Sequence, residues 1–267
     1  MLLAIYVVYA AAQMDASWAR VSAGLHNSAH FLGRMFPPNF ARWELLVKGL
    51  QESLEIAVLA STLGIVLALP IGLLAARNLM PAWLSWPSRL LIVGARSFHP
   101  VIVAIVFVKA VGFGALAGIL ALTVASVGFI GKLFAEAIEE ISLKQVEAIR
   151  ATGASFMSVI AFAVLPQVFA RFIGFCTYQL DSNLRNSTMV GIVGAGGIGG
   201  TLFAAFQRFD YDYVCAILIS IIALIMLGEI MAMGVRAIFI DGLTLADLLR
   251  RRLHAPVSRR ESHLEDD

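Results

Sequence analysis

Charge is what this chain has least of: 14% of its 267 residues are Asp, Glu, Lys or Arg, where a soluble domain carries about 25%. Beside 60% hydrophobic residues and a mean hydropathy of +0.85, that shortage excludes an ordinary water-soluble domain. Cysteine is scarce too. Cys176 and Cys215 both sit in apolar surroundings without C-x-x-C spacing, which reads as small packing residues and not as a disulfide or a metal pair. His26 and His30 stand four residues apart, but with no Glu or Cys ligand beside them they read as surface histidines. No G-x-x-x-x-G-K-[ST] run is present, so ATP chemistry would belong to another chain. No Ser/His/Asp set, catalytic carboxylate pair, metal cluster or nucleic-acid patch stands out, and a catalytic role is not expected.

What the chain has instead is long uncharged runs. Residues 56–76, 110–131 and 151–170 carry no charge, and 214–235 carry only Glu229; a bilayer takes about 20 residues of helix. The pattern predicts an all-α polytopic membrane protein with about six spans. These are residues 1–13, 49–76 (kinked at Pro70), a third running to about Lys109 and interrupted at His99-Pro100, 115–136, a fifth starting near Pro166 and a sixth near Val214. Residues 1–13 lack a basic start and read as a short first helix, not a signal peptide. Residues 15–48, with Trp18, Phe31, Trp43 and the Pro37-Pro38 pair, read as an interfacial or re-entrant element. Three regions follow: 1–44, a permease-like core at 45–240, and a polar tail at 241–267, where Arg250, Arg251 and Arg252 suit anionic lipid. One set of loops holds Arg77, Arg89, Lys132, Lys144, Arg150 and Arg236, the other Arg185 and Arg208, with the Arg and Lys of the long 15–48 segment counting for little because of its length; the basic set, with both termini, is expected in the cytoplasm.

The one sizeable charged island in mid-chain is EAIEEISLKQVEAIR, residues 136–150. Glu140 and Lys144 stand at i,i+4 in the favourable order, and Ile141, Val146 and Ile149 offer apolar contacts. Periodicity alone fits a membrane-parallel docking helix and a solvated loop equally well. Gly153 permits a turn after it, and Leu165-Pro166 follows.

Glu147-Ala148-Ile149-x-x-x-Gly153, nine residues, then Ala163-Val164-Leu165-Pro166, resembles the EAA loop of ABC importer permeases, E-A-A-x-x-x-G-x(9)-I-x-L-P. Ile149 replaces the second Ala and Ala163 the Ile. More narrowly, the stretches EAIRATGAS, VLPQV and NLRNSTMVGIVGAGGIGG make residues 45–240 similar to the permease of phosphonate importers. The resemblance implies a type I, MetI-like permease fold working as a homodimer in a bacterial inner membrane. It implies cytoplasmic ATPase subunits, carrying ATP and Mg, that grip Glu147, Ala148, Ile149, Arg150 and Gly153, with Leu165 and Pro166 completing the motif. It also implies a periplasmic substrate-binding protein that delivers a phosphorus oxyanion. Phe98-His99-Pro100 departs from the family's expected Pro-Glu-type pair, which leaves phosphite and hypophosphite beside phosphonate. A carrier of another class, driven by ions, would show inverted repeats with broken helices in both halves; no clear internal repeat is visible.

The run GAGGIG, residues 194–199, matches the dinucleotide fingerprint G-x-G-x-x-G. That use needs a preceding strand and an acid about 20 residues on, where Ile219 stands. A packing role fits better, with Gly196-x-x-x-Gly200 letting two segments touch. The resemblance makes Gly194, Gly196 and Gly197 part of a gate. An oxyanion needs cations along its path, and a buried Lys or Arg costs about 2.5–3.5 kcal/mol unless it meets water or a partner. Arg96, His99, Lys109, Asn183 and Arg185 are the candidates, with snorkelling the competing explanation for Arg96 and Lys109. Glu229 is expected to hydrogen-bond a neighbouring helix.

Overall fold

The computed structural model describes residues 1–13 and 17–236; the expected tail 241–267, with Arg250, Arg251 and Arg252, lies outside the described residues. Every regular element described is helical: α1 Leu2–Gln13, α2 Trp18–Met35, α3 Trp43–Ala75, α4 Ala82–Ser97, α5 Pro100–Val111, α6 Ala115–Glu139, α7 Leu143–Ala151, α8 Phe156–Val159, a π turn Ile160–Val164, α9 Leu165–Ile192, α10 Ile198–Gln207 and α11 Tyr211–Arg236. Four helical stretches are long and apolar enough to cross a bilayer: α3, Phe156–Ile192, α6 and α11. The pair α4–α5, bent by 91°, makes a fifth when taken as one broken span. The expected first span, α1, has 12 described residues, about 18 Å of helix against about 30 Å of hydrocarbon.

The centre of the bundle is α3 laid on α6, and small residues set that contact. In lipid there is no hydrophobic drive between helices, so close backbone approach supplies the packing. On α3 the buried positions include Gly49, Ser53, Ala57, Ser61, Gly64, Ala68, Gly72 and Ala75, a run at helical spacing. At the tightest point a Cβ on Gly64 would lie 2.3 Å from Ser126 Cβ of α6. One polar network ties α9 into the same place. Asn183 Nδ2 donates to Ser61 Oγ at 2.9 Å and Ser126 Oγ at 2.8 Å, and Gln179 Nε2 donates to Ser126 Oγ at 2.9 Å. All four side chains are buried. Interhelical hydrogen bonds of this kind contribute on the order of 0.6 kcal/mol each in membranes, up to about 1.7, and fix the rotation of three helices at once.

The break between α4 and α5 follows from His99-Pro100. A residue before proline is driven out of the α region, and His99 sits extended at φ −65°, ψ 140°. Its Nδ1 accepts from Val101 N at 3.3 Å, so it caps the helix that Pro100 begins. Two expectations about proline are corrected: that the link 77–89, with Pro81 and Pro87, is an interfacial turn, and that Pro166 starts the fifth span. Pro87 lies inside α4, which already starts at Ala82, so residues 82–89 are helix and not turn. The fifth span does not begin at Pro166 but at Phe156. Pro166 has no N–H and its ring would collide with the carbonyl four residues back; the preceding turn widens to π register, with Leu165 N donating to Ile160 O, and the helix runs on.

Two apolar clusters mark opposite ends. Ile138, Ile141, Val146, Val159 and Val164 cluster where α3 ends and α7 lies. Met35, Leu46, Ile198, Leu202, Tyr213 and Val214 cluster where α3 begins, with α2, α10 and the start of α11. The expected interfacial segment is largely α2, docked by Phe31 edge-on to Tyr211 at 4.8 Å and by Arg34 over the same ring at 4.6 Å.

Candidate functional site

At the α7 end, residues 136–150 resolve into two elements. α6 continues to Glu139, and Ser142 starts α7, its N–H donating to Gln167 Oε1 at 2.9 Å. The expected Glu140–Lys144 helix pair is not formed. Glu140 lies at the end of α6 and pairs with Arg171 of α9, which anchors the loop across the bundle instead. Val146 is buried in the α7-end cluster, and Ile149 packs partly buried against it. Glu147, Ala148 and Arg150 are exposed, as are Leu143 and Lys144. α7 is thus a short rod pinned by one edge with a free outer face. Glu147 is the single carboxylate of α7, and no ion pair among the described residues engages it. Gly153 ends the rod at φ +76°, a left-handed position that favours glycine, with its N–H on Arg150 O at 3.0 Å. Leu165 and Pro166, both exposed, follow directly on the π turn.

At the opposite end the glycine-rich run follows helix α9, not a strand, so the dinucleotide geometry is absent. Gly194, Gly196 and Gly197 take φ of +89°, +82° and +81°, which turns the chain sharply into α10, a helix the sequence did not suggest. The turn is wedged between α3 and α6. Ile198 N donates to Ser53 Oγ at 2.9 Å, and Gly114 N donates to Gly194 O at 3.0 Å. A Cβ on Gly118 would lie 2.4 Å from Ala195 O. Of the expected pair, Gly196 does let two segments touch, since a Cβ there would lie 2.7 Å from Ala115 N of α6, while Gly200 has only an ordinary contact; Gly191 and Gly199, whose backbones meet, make the other close approach.

The five polar pathway candidates are dispersed. Asn183 is consumed in the buried network. Arg185 pairs with Asp181 one turn before it. His99 caps α5, and Lys109 is exposed in the last turn of that helix. Arg96 alone reaches a cavity, of about 600 Å³, between the end of α3, α4 and α6. Its neighbours there, Arg77, Arg89 and Lys132, are three residues the sequence singled out only for topology. Glu229 is exposed on α11, and no hydrogen bond to a neighbouring helix is formed among the described residues, contrary to expectation. His26 and His30 are exposed on α2.

Comparison with known proteins agrees with this architecture. Residues 68–244 match the family described as binding-protein-dependent transport system inner membrane component. The chain is 41% identical to the phosphite transport system permease protein PtxC of Stutzerimonas stutzeri, over 77% of this chain and 75% of that protein. It is 39% identical to the phosphate-import permease protein PhnE of Mycolicibacterium smegmatis, over 78% of this chain and 38% of that longer protein. Among solved structures, a chain of the inward-facing MetNI methionine ABC transporter superposes with a TM-score of 0.67 at 27% identity, covering 75% of this chain and 99% of that one.

Proposed function

The chain belongs to the family of binding-protein-dependent transport system inner membrane components, and we propose that as an ABC importer permease it carries phosphorus oxyanions of the phosphonate, phosphite and phosphate class. The substrate class rests on the identity to phosphite and phosphate permeases along most of the chain. The driving role rests on one observation: α7, pinned by Val146 and free on the face bearing Glu147, Ala148 and Arg150. A cytoplasmic ATPase subunit docks on that face, two copies of this chain enclose the pathway, and a periplasmic binding protein presents the anion at the glycine-turn end. Nucleotide-driven closure of the ATPases pushes the rods, and through the α7-end cluster the packed helices rock as rigid bodies between two states. ATP and Mg are held by those partners. In this reading the glycine turn serves as the gate, and Arg96 and Arg185, both exposed, serve the pathway. In this reading α7, Gly153 and the basic loops face the cytoplasm, and the core 45–240 is the transport unit.

Reconstitution tests the reading. Proteoliposomes holding this chain with its ATPase partner, supplied with the binding protein outside and ATP inside, take up phosphite or phosphonate, and uptake stops when ATP is omitted. Uptake by the chain alone, driven by a proton or sodium gradient, would overturn it in favour of a secondary carrier. Such carriers pair broken helices in both halves; among the described residues α4–α5 is the one bent pair.

A further inference from the structure

The cavity around Arg96 holds more charge than a topology signal requires. Its wall carries Arg77, Arg89, Arg96 and Lys132, with Trp86 at its edge and Glu136 as its carboxylate. Arg89 is engaged by Glu139 at 2.6 Å, and Lys132 by Glu136 at 3.5 Å. Arg77 gives its backbone N–H to Glu139 at 2.8 Å, while its guanidinium and that of Arg96 have no ion pair among the described residues. Two cations are therefore left over, facing one space.

The fold puts them there deliberately. Arg77 and Arg89 lie at the α7 end, tied to Glu139. Arg96 lies higher, its stem laid over Gly128 in the middle of α6; a Cβ there would come within 2.7 Å of Arg96 Cγ. From Gly128 to Glu139 is about 16 Å of helix, so the basic wall climbs from the α7 end to about half the depth of α6. The stem of Arg96 starts at that depth and its exposed side chain shares the cavity wall with Lys132 and Glu136; a guanidinium in such a place is expensive unless it meets water or an anion. About 600 Å³ is far more than a tetrahedral phosphorus oxyanion fills, and pockets of about 300–1,000 Å³ are the usual range for small ligands. Guanidinium matches phosphoryl oxygens with paired, charge-assisted hydrogen bonds.

We propose that this cavity is a binding site for a phosphoryl-type anion, held by Arg77 and Arg96 with Arg89 and Lys132 tuned by Glu139 and Glu136. The inference rests on the permease reading for its substrate class and deepens it: the cavity is a low-affinity station on the α7 side of the pathway. The same chemistry would hold the phosphate of an anionic lipid headgroup, and the test separates the two sources. The purified full chain is placed in phosphatidylcholine nanodiscs and titrated with inorganic phosphate and phosphite, followed by phosphorus NMR. Millimolar or tighter binding is expected, weakened tenfold or more in the variant Arg77→Gln/Arg96→Gln. If inorganic phosphate does not bind but added phosphatidylglycerol stays on the protein in native mass spectrometry and is lost in the variant, the site stands and its occupant is lipid. Binding of neither probe, or equal binding of either to wild type and variant, overturns the proposal. Should the double variant fail to fold, Arg96→Lys keeps the charge and loses the planar fork; a several-fold weakening is expected there, and unchanged binding overturns the site. Because binding is read without ATPase or receptor, a wild-type chain that fails ATP-driven uptake would undo the permease reading and leave this result standing.

Discussion

Exchanging Glu147 for arginine reduces ATP-driven uptake at least tenfold while the membrane fold survives. Both halves of that expectation come from the position of the residue. Glu147 is exposed in the middle of α7, and an exposed helix site away from buried features changes stability within about 0.5 kcal/mol; arginine is also a good helix former. The same side chain is the single carboxylate on a rod that otherwise offers Lys144 and Arg150. Inverting it makes the outer face uniformly basic. In this reading Glu147 meets a cation of the ATPase, so arginine there brings like charges together across the interface, which costs several kcal/mol, and each 1.4 kcal/mol is about tenfold in affinity. Uptake in proteoliposomes and co-purification of the ATPase should fall together, with the melting temperature of the detergent-solubilised chain unchanged. Glu147→Gln, which removes the charge without inverting it, should fall between. Wild-type uptake in the arginine variant would mean that α7 faces nothing.

The second large effect is on folding and lies at the other end of the molecule. A Cβ on Gly199 would stand 1.9 Å from Thr188 O and 3.0 Å from Gly191 Cα. Both obstacles are backbone, in α9, so no rotamer change relieves them. Gly200, its neighbour in sequence, would meet Gly191 O at 3.5 Å, an ordinary contact. Overpacking commonly costs about 1–3 kcal/mol and more where the surroundings cannot shift, and the α9–α10 contact is of the second kind. Gly199→Val should abolish recovery of monodisperse protein in size-exclusion chromatography. Gly200→Ala should leave it at the wild-type level. Equal recovery of the two would mean that the glycine turn is not packed as described.

These examples also show what was legible in the sequence. Uncharged runs long enough to cross a bilayer announced α3, α6, the Phe156–Ile192 span and α11, because a membrane imposes one composition on any helix that crosses it. The His99-Pro100 break was legible because proline restricts the residue before it. Val146 and Ile149, legible as apolar positions in a charged stretch, are the residues that pack against the bundle. Local rules failed where a distant contact decided. Pro166 looks like a helix start, yet the π turn before it absorbs the missing N–H. Glu140 looks paired with Lys144, yet Arg171 on the next span lies closer. α10, 10 residues long, is too short to register as a span and begins with glycines that read as loop. One pair of glycines that touch, Gly191 and Gly199, has the spacing of no familiar motif, since they meet across a turn and not along one helix. The basic cavity is the extreme case: Arg77, Arg89, Arg96 and Lys132 come from three segments, and only the laying of α4 on Gly128 and Gly131 of α6 brings them to one wall.

The account depends on α7 being a handle held by another protein. Hydrogen exchange of the assembled transporter tests that directly, by comparing amides 143–152 in the chain alone and with its ATPase partner locked by a non-hydrolysable ATP analogue. The rod is pinned by one edge, so its amides exchange readily in the free chain. They should slow at least tenfold in the complex, while the amides of α10 stay unchanged. Equal exchange of residues 143–152 in both states would contradict the account.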